Sequence, residues 1–223
     1  MPAFAHLILA TAVFFAAHIV SSTPLRAALI ARLGMSAYLG LYTAVALVTF
    51  VWMSWAYAQA PFQPLWNGWR HLPLLVMPIA LILLVAGYAA RNPTAVMQEE
   101  RLKSPEPARG ILRVTRHPLM WAIALWAGAH LAARGDVKSV IFFGALLMLA
   151  LLGTLLLDRR KAALGEDWQR FAAVTSNLPF AAIVQGRNRF DAHEIGYLIP
   201  SIGLALFAVL FLLHPIVFGA RPY

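Results

Sequence analysis

The eighteen residues VIFFGALLMLALLGTLLL, Val140–Leu157, carry no charge and run straight into Asp158-Arg159-Arg160-Lys161. At ~1.5 Å per residue a helix of that length rises roughly 27 Å, close to the thickness of a bilayer's hydrocarbon core. The stretch therefore reads as a membrane span, and the charged residues that close it mark an aqueous face. Five further apolar runs read the same way: Phe4–Val20, Ala37–Ala58, Leu72–Ala90, Leu119–Ala133 and Ile195–Leu213, with Leu119–Ala133 the shortest. Composition agrees, because 61% apolar and only 12% charged residues over 223 positions exclude a water-soluble domain of this size. The reading is an all-α, polytopic membrane protein with about six transmembrane helices, organised as one domain over residues 1–223.

Charge orients it. The loops after the first, third and fifth runs hold 2, 6 and 6 of the 18 Lys and Arg residues, while Arg70, Arg134, Lys138 and Arg221 fall on the other side. Positive charge gathers on the cytoplasmic face during insertion, which places both termini outside, in the periplasm of a bacterial inner membrane. The net charge of +9 is thus a topology signal and an attraction to anionic membrane lipid, with no nucleic-acid partner implied. The first run lacks a preceding cation and a clear small-residue cleavage pattern, so it is expected to stay as a span. Leu25–Leu33, after Ser21-Ser22-Thr23-Pro24, reads as a short helix on the inner surface. Trp52, Trp55, Tyr57, Trp66 and Trp69 read as an outer aromatic belt. The segment Leu164–Phe171 suits a short amphipathic helix.

With no cysteine in the chain, disulfides, thiolate-ligated haem, iron–sulfur clusters and Cys-type zinc sites are excluded. Any metal must be held by His, Met or oxygen. His130 lies thirteen residues after His117, inside an apolar run, and His18 lies inside the first run. A histidine at membrane depth is a site hypothesis by default; the competing reading is a ring satisfied by a hydrogen bond within its own or a neighbouring helix. By depth, His6, His71, His130 and His214 fall near the outer face, and His18, His117 and His193 near the inner. His193 reads as a solvated loop residue and His6 as an interface residue. Between His117 and His130 a straight helix climbs roughly 20 Å, so depth alone sets His130 with His6, His71 or His214 rather than with His18. Arg116-His117-Pro118 opens a helix with proline in its first turn, leaving N–H groups free for an anion. Arg113 and Arg116 beside it suit a phosphate, carboxylate or propionate, or else simple anchoring at the lipid surface.

Phe15-Ala16-Ala17-His18, Leu25-Arg26, Thr115-Arg116-His117-Pro118, Ala129-His130, Asp158-Arg159-Arg160, Gly165-Glu166, the run Asn177–Ile183 and His214-Pro215 together resemble the NnrU family. That family is similar over most of its length to plant and algal 15-cis-ζ-carotene isomerases. The resemblance runs from about Phe4 to Gly219. It implies six spans and a haem b whose axial ligands match His18 and His130, with His117 and His71 also matching isomerase histidines. NnrU members are linked to nitrogen-oxide respiration, which implies a haem-binding redox protein with nitrogen oxide or a hydrophobic small molecule as its ligand. The alternative the resemblance implies is a haem-dependent cis–trans isomerase of a carotenoid-like polyene. Against it, the isomerase cysteine ten residues after His117 is Ala127 here, and a further isomerase histidine falls at about Ala150, so no thiolate can replace a histidine ligand. A weaker similarity runs to isoprenylcysteine carboxyl methyltransferases through the Arg-His-Pro turn and Gly165-Glu166…Phe171…Pro179, implying S-adenosylmethionine-dependent methyl transfer. The expected cofactor contacts are His18 and His130 on the metal, with His117, Arg113 and Arg116 around it. Catalytic residues, and whether the chain is a catalyst, assembly factor or sensor, are left open by the sequence.

Overall fold

The computed structural model describes residues 3–220; Arg221, counted above on the sparsely charged side, lies outside them. Helices account for nearly all regular structure, and one isolated bridge joins Pro64 to Asp136. In chain order they are α1 (Ala5–Ile19), α2 (Pro24–Leu33), α3 (Met35–Gln59), α4 (Leu72–Ala89), α5 (Ile111–Val114), α6 (Pro118–Arg134), α7 (Val137–Ala162), α8 (Glu166–Val174), α9 (Ala181–Val184), α10 (Ala192–Ile195) and α11 (Leu198–Phe218). Five are long and apolar enough to cross a membrane: α1 with its 3-10 extension to Ser22, then α3, α4, α7 and α11. The sixth, α6, has 17 residues and runs between α4 and α7, the two helices it packs against most extensively. Its neighbours complete a span that its own length barely reaches.

Local chemistry sets the boundaries. Asp136 caps α7, accepting from the Ser139 N–H at 3.0 Å and the Ser139 hydroxyl at 2.9 Å, which satisfies donors at the helix start. At its other end α7 does not stop with the apolar run at Leu157 but winds on to Ala162. That extra turn carries Asp158 and Lys161 into the protein, and Lys161 is only 4% exposed. The last span begins at Leu198 rather than at Ile195, because Gly196 at φ +69° ends the short α10, a conformation that favours glycine. Pro24 starts α2 in its first turn. The helix buries none of its residues, as a surface-lying element would. Trp168 and Phe171 anchor α8 by their buried rings.

Small residues set the helix spacing, as they do where membrane helices approach closely. A Cβ on Gly203 of α11 would stand 2.8 Å from Ile82 Cα of α4, and one on Gly87 of α4 would stand 2.8 Å from Leu119. One apolar core gathers Leu7, Ala10, Phe14, Met53, Ala127 and Phe142. A second gathers Leu83, Ala86, Leu112, Val114, Trp168 and Phe171.

The two ends of the bundle differ in chemistry. At the Trp-rich end the α3–α4 connection is zipped to the α6–α7 turn, with Leu65 N–H donating to Gly135 O at 2.8 Å and Val137 N–H to Gln63 O at 2.9 Å. At the basic end lie Arg113, Arg116, Arg160 and Lys161 with their partners.

Candidate functional site

The most tightly built polar constellation is at the basic end, where α6 begins. His117 immediately precedes α6 and is 1% exposed. Its Nε2 lies 2.7 Å from Asp158 Oδ1, and its Nδ1 is buried without a hydrogen-bond partner. Arg116 grips the same carboxylate through Nε at 3.0 and 3.1 Å and Nη2 at 2.7 Å, while Nη1 donates to Thr175 O at 3.2 Å. The guanidinium also lies over Trp168, 5.9 Å from the ring centre, favourable for a cation on an aromatic face. Hydrogen bonds hold the turn itself: Asn92 and Thr94 donate to Arg116 O, and Arg116 N–H donates to Ser176 O at 3.0 Å. Thr115 and Trp121 both donate to Asn177 O. With the ring as the tautomer whose Nε2–H donates to Asp158, Nδ1 carries a lone pair that no protein donor meets.

The neighbouring Arg113 is engaged elsewhere. It makes a two-pronged contact with Glu194, at 2.7 and 2.8 Å, and donates to Asn188 Oδ1 at 2.7 Å, while Gly110 N–H donates to the same carboxylate at 2.7 Å. The Arg113 hydrogen bonds outweigh desolvation and hold the Glu194 carboxyl far below its ordinary value, at about 2. Beside this latch is a cleft of about 350 Å³ lined by Arg91, Arg101, Glu106, Arg109, Gly110 and Glu194.

The remaining histidines divide by what their rings do. His18 and His130 are built alike: each is half-buried, and each ties Nδ1 to the carbonyl four residues earlier, Phe14 O and Trp126 O, both at 2.8 Å. Such a tether fixes ring orientation and leaves Nε2 as the free nitrogen, the usual arrangement behind a metal-binding imidazole. His130 stacks on Phe143 at 5.4 Å, and His18 meets Tyr42 edge-on at 5.8 Å.

They do not share a depth. His18 neighbours Tyr42, near the start of α3, whereas His130 neighbours Phe143, which packs against Tyr57 near the end of α3. That places them at opposite ends of the bundle, roughly 20 Å apart along its axis at ~1.5 Å per helical residue. Axial ligands bind one iron directly, and as placed here His18 and His130 do not meet at one ion.

At the Trp-rich end His130 has different company. His214, toward the end of α11, also ties its Nδ1 to a carbonyl, Ala220 O at 2.6 Å. His6 is committed, since its Nε2 accepts from Trp52 Nε1 at 2.8 Å. His71 and His193 are exposed. Among the described residues no cluster of three or more His, Asp or Glu side chains is placed to hold a metal. Ala127 and Ala150, the positions of the isomerase cysteine and histidine, are 0% and 4% exposed and closed over by packing.

Residues 6–222 match the family described as NnrU protein. The chain belongs to the NnrU family. Among curated relatives, this NnrU chain is 32% identical over 111 residues to a protein from Zea mays named 15-cis-zeta-carotene isomerase, chloroplastic. It is 33% identical over 115 residues to the Arabidopsis thaliana protein of the same name. The alignments take in 48% and 50% of this chain and 30% and 31% of the relatives, so the chain spans less than a third of the length of the curated relatives it matches. No solved structure matches it.

What the sequence missed is Asp158 as the shared partner of Arg116 and His117. The available signal was a carboxylate placed directly at the end of an apolar run, and its partners lie 41 and 42 residues away.

Proposed function

We propose that this NnrU protein is a membrane haem b protein of the nitrogen-oxide-linked redox type, with His130 as an iron ligand near the Trp-rich end. The supporting observation is the His130 ring itself: half-buried at membrane depth, its Nδ1 tethered to Trp126 O and its Nε2 uncommitted. Polar rings at that depth are costly and mark function. His214, whose Nδ1 is also tied to a carbonyl, that of Ala220, is the proposed source of the second nitrogen. Trp126 and Phe143 provide flat apolar walls, and Arg134, held only at 3.6 Å from Asp136, provides a cation for a carboxylate. Haem bound there would supply reversible one-electron chemistry and a coordination site for a small nitrogen oxide. The chain's own residues set the imidazole tautomers, exclude water and balance charge.

The test is the absorption spectrum of detergent-purified protein, oxidised and dithionite-reduced, with a pyridine haemochrome assay. His130→Ala and His214→Ala should each lose most of the haem while His18→Ala keeps it. A colourless wild-type protein rejects the reading. Loss in His18→Ala with retention in His214→Ala would return ligation to the pair implied by the family resemblance.

A second reading, cis–trans isomerisation of a carotenoid-like polyene, is favoured by the similarity to the two plant isomerases. Its test is expression in a host that accumulates 15-cis-ζ-carotene, where chromatography should show that isomer converted. An unchanged profile alongside abundant folded protein dismisses it.

A further inference from the structure

The basic end holds a second polar cluster, on the opposite flank of α7 from His117 and independent of the haem reading. Leaving α1 through Ser21 to Thr23, the chain lays α2 against the beginning of α3. Arg26 of α2 lies over the Tyr38 ring, 5.7 Å from its centre, and Tyr38 stacks on Tyr42 one turn further along α3 at 6.2 Å. From α7, Arg160 donates to Ser21 O at 3.1 Å, in the turn that leads into α2, and its positive charge and that of Arg26 act on one another.

Two deficits meet here. Arg26 and Arg160, both half-buried, repel one another, and among the described residues neither has a carboxylate at ion-pair distance. Glu99, the acid that does influence Arg160, is taken by Lys161 at 2.6 Å. Tyr38 is 4% exposed, and its hydroxyl is buried without a hydrogen-bond partner. A buried hydroxyl without a partner and two converging uncompensated cations are each unfavourable. One anion accepting from the hydroxyl and from both guanidiniums removes both.

The depth of the cluster narrows the ligand. No α2 residue is buried, and Leu25 and Leu33 are exposed, as suits a helix whose apolar side chains enter lipid at headgroup level. Arginine forks match phosphate oxygens better than point-charge lysines do. We propose that Arg26, Arg160 and the Tyr38 hydroxyl form a binding site for the phosphate of an anionic lipid headgroup.

Native mass spectrometry of the full chain in detergent, titrated with dioleoyl phosphatidylglycerol, with the matching phosphatidylcholine, or with inorganic phosphate, tests it. The wild type should retain phosphatidylglycerol over phosphatidylcholine by about fivefold or more, and the double variant Arg26→Gln/Arg160→Gln should lose that preference. Tyr38→Phe removes only a hydroxyl without a protein partner, so it should fold normally and still bind phosphatidylglycerol several-fold more weakly. Displacement of the lipid by millimolar inorganic phosphate in the wild type but not in the double variant would keep the phosphate site and assign it to the free ion. Equal phosphatidylglycerol retention by wild type, double variant and Tyr38→Phe, each with normal helix content, would overturn the proposal.

Discussion

Asp158 is the residue on which the basic end turns. Its carboxylate takes three hydrogen bonds from Arg116 and faces His117 Nε2, with side-chain exposure of 20%, against 14% for Arg116 and 0% for His117. Removing one partner of a buried pair leaves the other charge uncompensated, at a cost of about 3–5 kcal/mol, which partial exposure here lowers to roughly 2–3. Asp158→Asn, nearly the same shape, should therefore lower the melting temperature in detergent clearly, and a variant that melts with the wild type would deny Asp158 that role. Little of this was legible beforehand. The sequence showed Arg116 and His117 beside a helix start and Asp158 at the end of a span. Their meeting depends on α7 staying helical for a turn past its last apolar residue, which hydropathy cannot register. The two membrane-depth histidines were legible, because a titratable ring in an apolar run is conspicuous. Their depths were legible too, since residue rise along a helix is fixed, and the rings packed beside them set His18 and His130 at different depths.

At the scale of elements, glycine positions show which helix contacts carry the bundle. Gly203 lets α11 lie against the backbone of α4, and a Cβ there meets Ile82 Cα at 2.8 Å. Gly203→Ala should force the helices apart and cost about 1–3 kcal/mol, read as a lower melting temperature. Gly144, in the first third of α7 with nothing within 4 Å of the added Cβ, is the control: Gly144→Ala should be neutral or stabilise by up to ~1 kcal/mol through helix propensity. If both variants behave alike, the α4–α11 approach is not tight. The entry to α11 depends instead on the Arg113–Glu194 latch. Glu194 is held at about 2 instead of its ordinary 4.5, so the stability it contributes is fully present above pH 4.5 and is lost as pH falls toward 2. Between pH 5 and pH 3 the wild type should therefore lose more melting temperature than Glu194→Gln does; parallel slopes would mean the latch contributes nothing. Five spans were readable because each is a long apolar run, with α6 shorter than the rest, whereas the starts of α10 and α11 were not, since Gly196 divides what hydropathy joins.

For the whole molecule the open physical question is which end faces the cytoplasm, and the chain's composition makes the experiment clean. Fourteen of the 18 Lys and Arg residues lie in three loops, and the fold brings residues from all three together: Arg160 of the third loop reaches Ser21 of the first, and Arg113 and Arg116 of the second bind Glu194 and Asp158. The charge asymmetry is therefore a property of one end of a folded bundle, not only of separate loops. Insertion would hold that end in the cytoplasm, against the anionic leaflet that the Arg26 and Arg160 cluster would engage. Because the chain has no cysteine, single cysteines report without background. Ser104 is exposed in the basic α4–α5 connection and Gln63 is exposed at the Trp-rich end. In intact cells with a permeable outer barrier, a membrane-impermeant maleimide should modify Gln63→Cys at once and Ser104→Cys only after the inner membrane is opened. The reverse pattern would put both the proposed lipid site and the His117–Asp158 dyad on the outer side, and the proposed His130 iron site next to the cytoplasm.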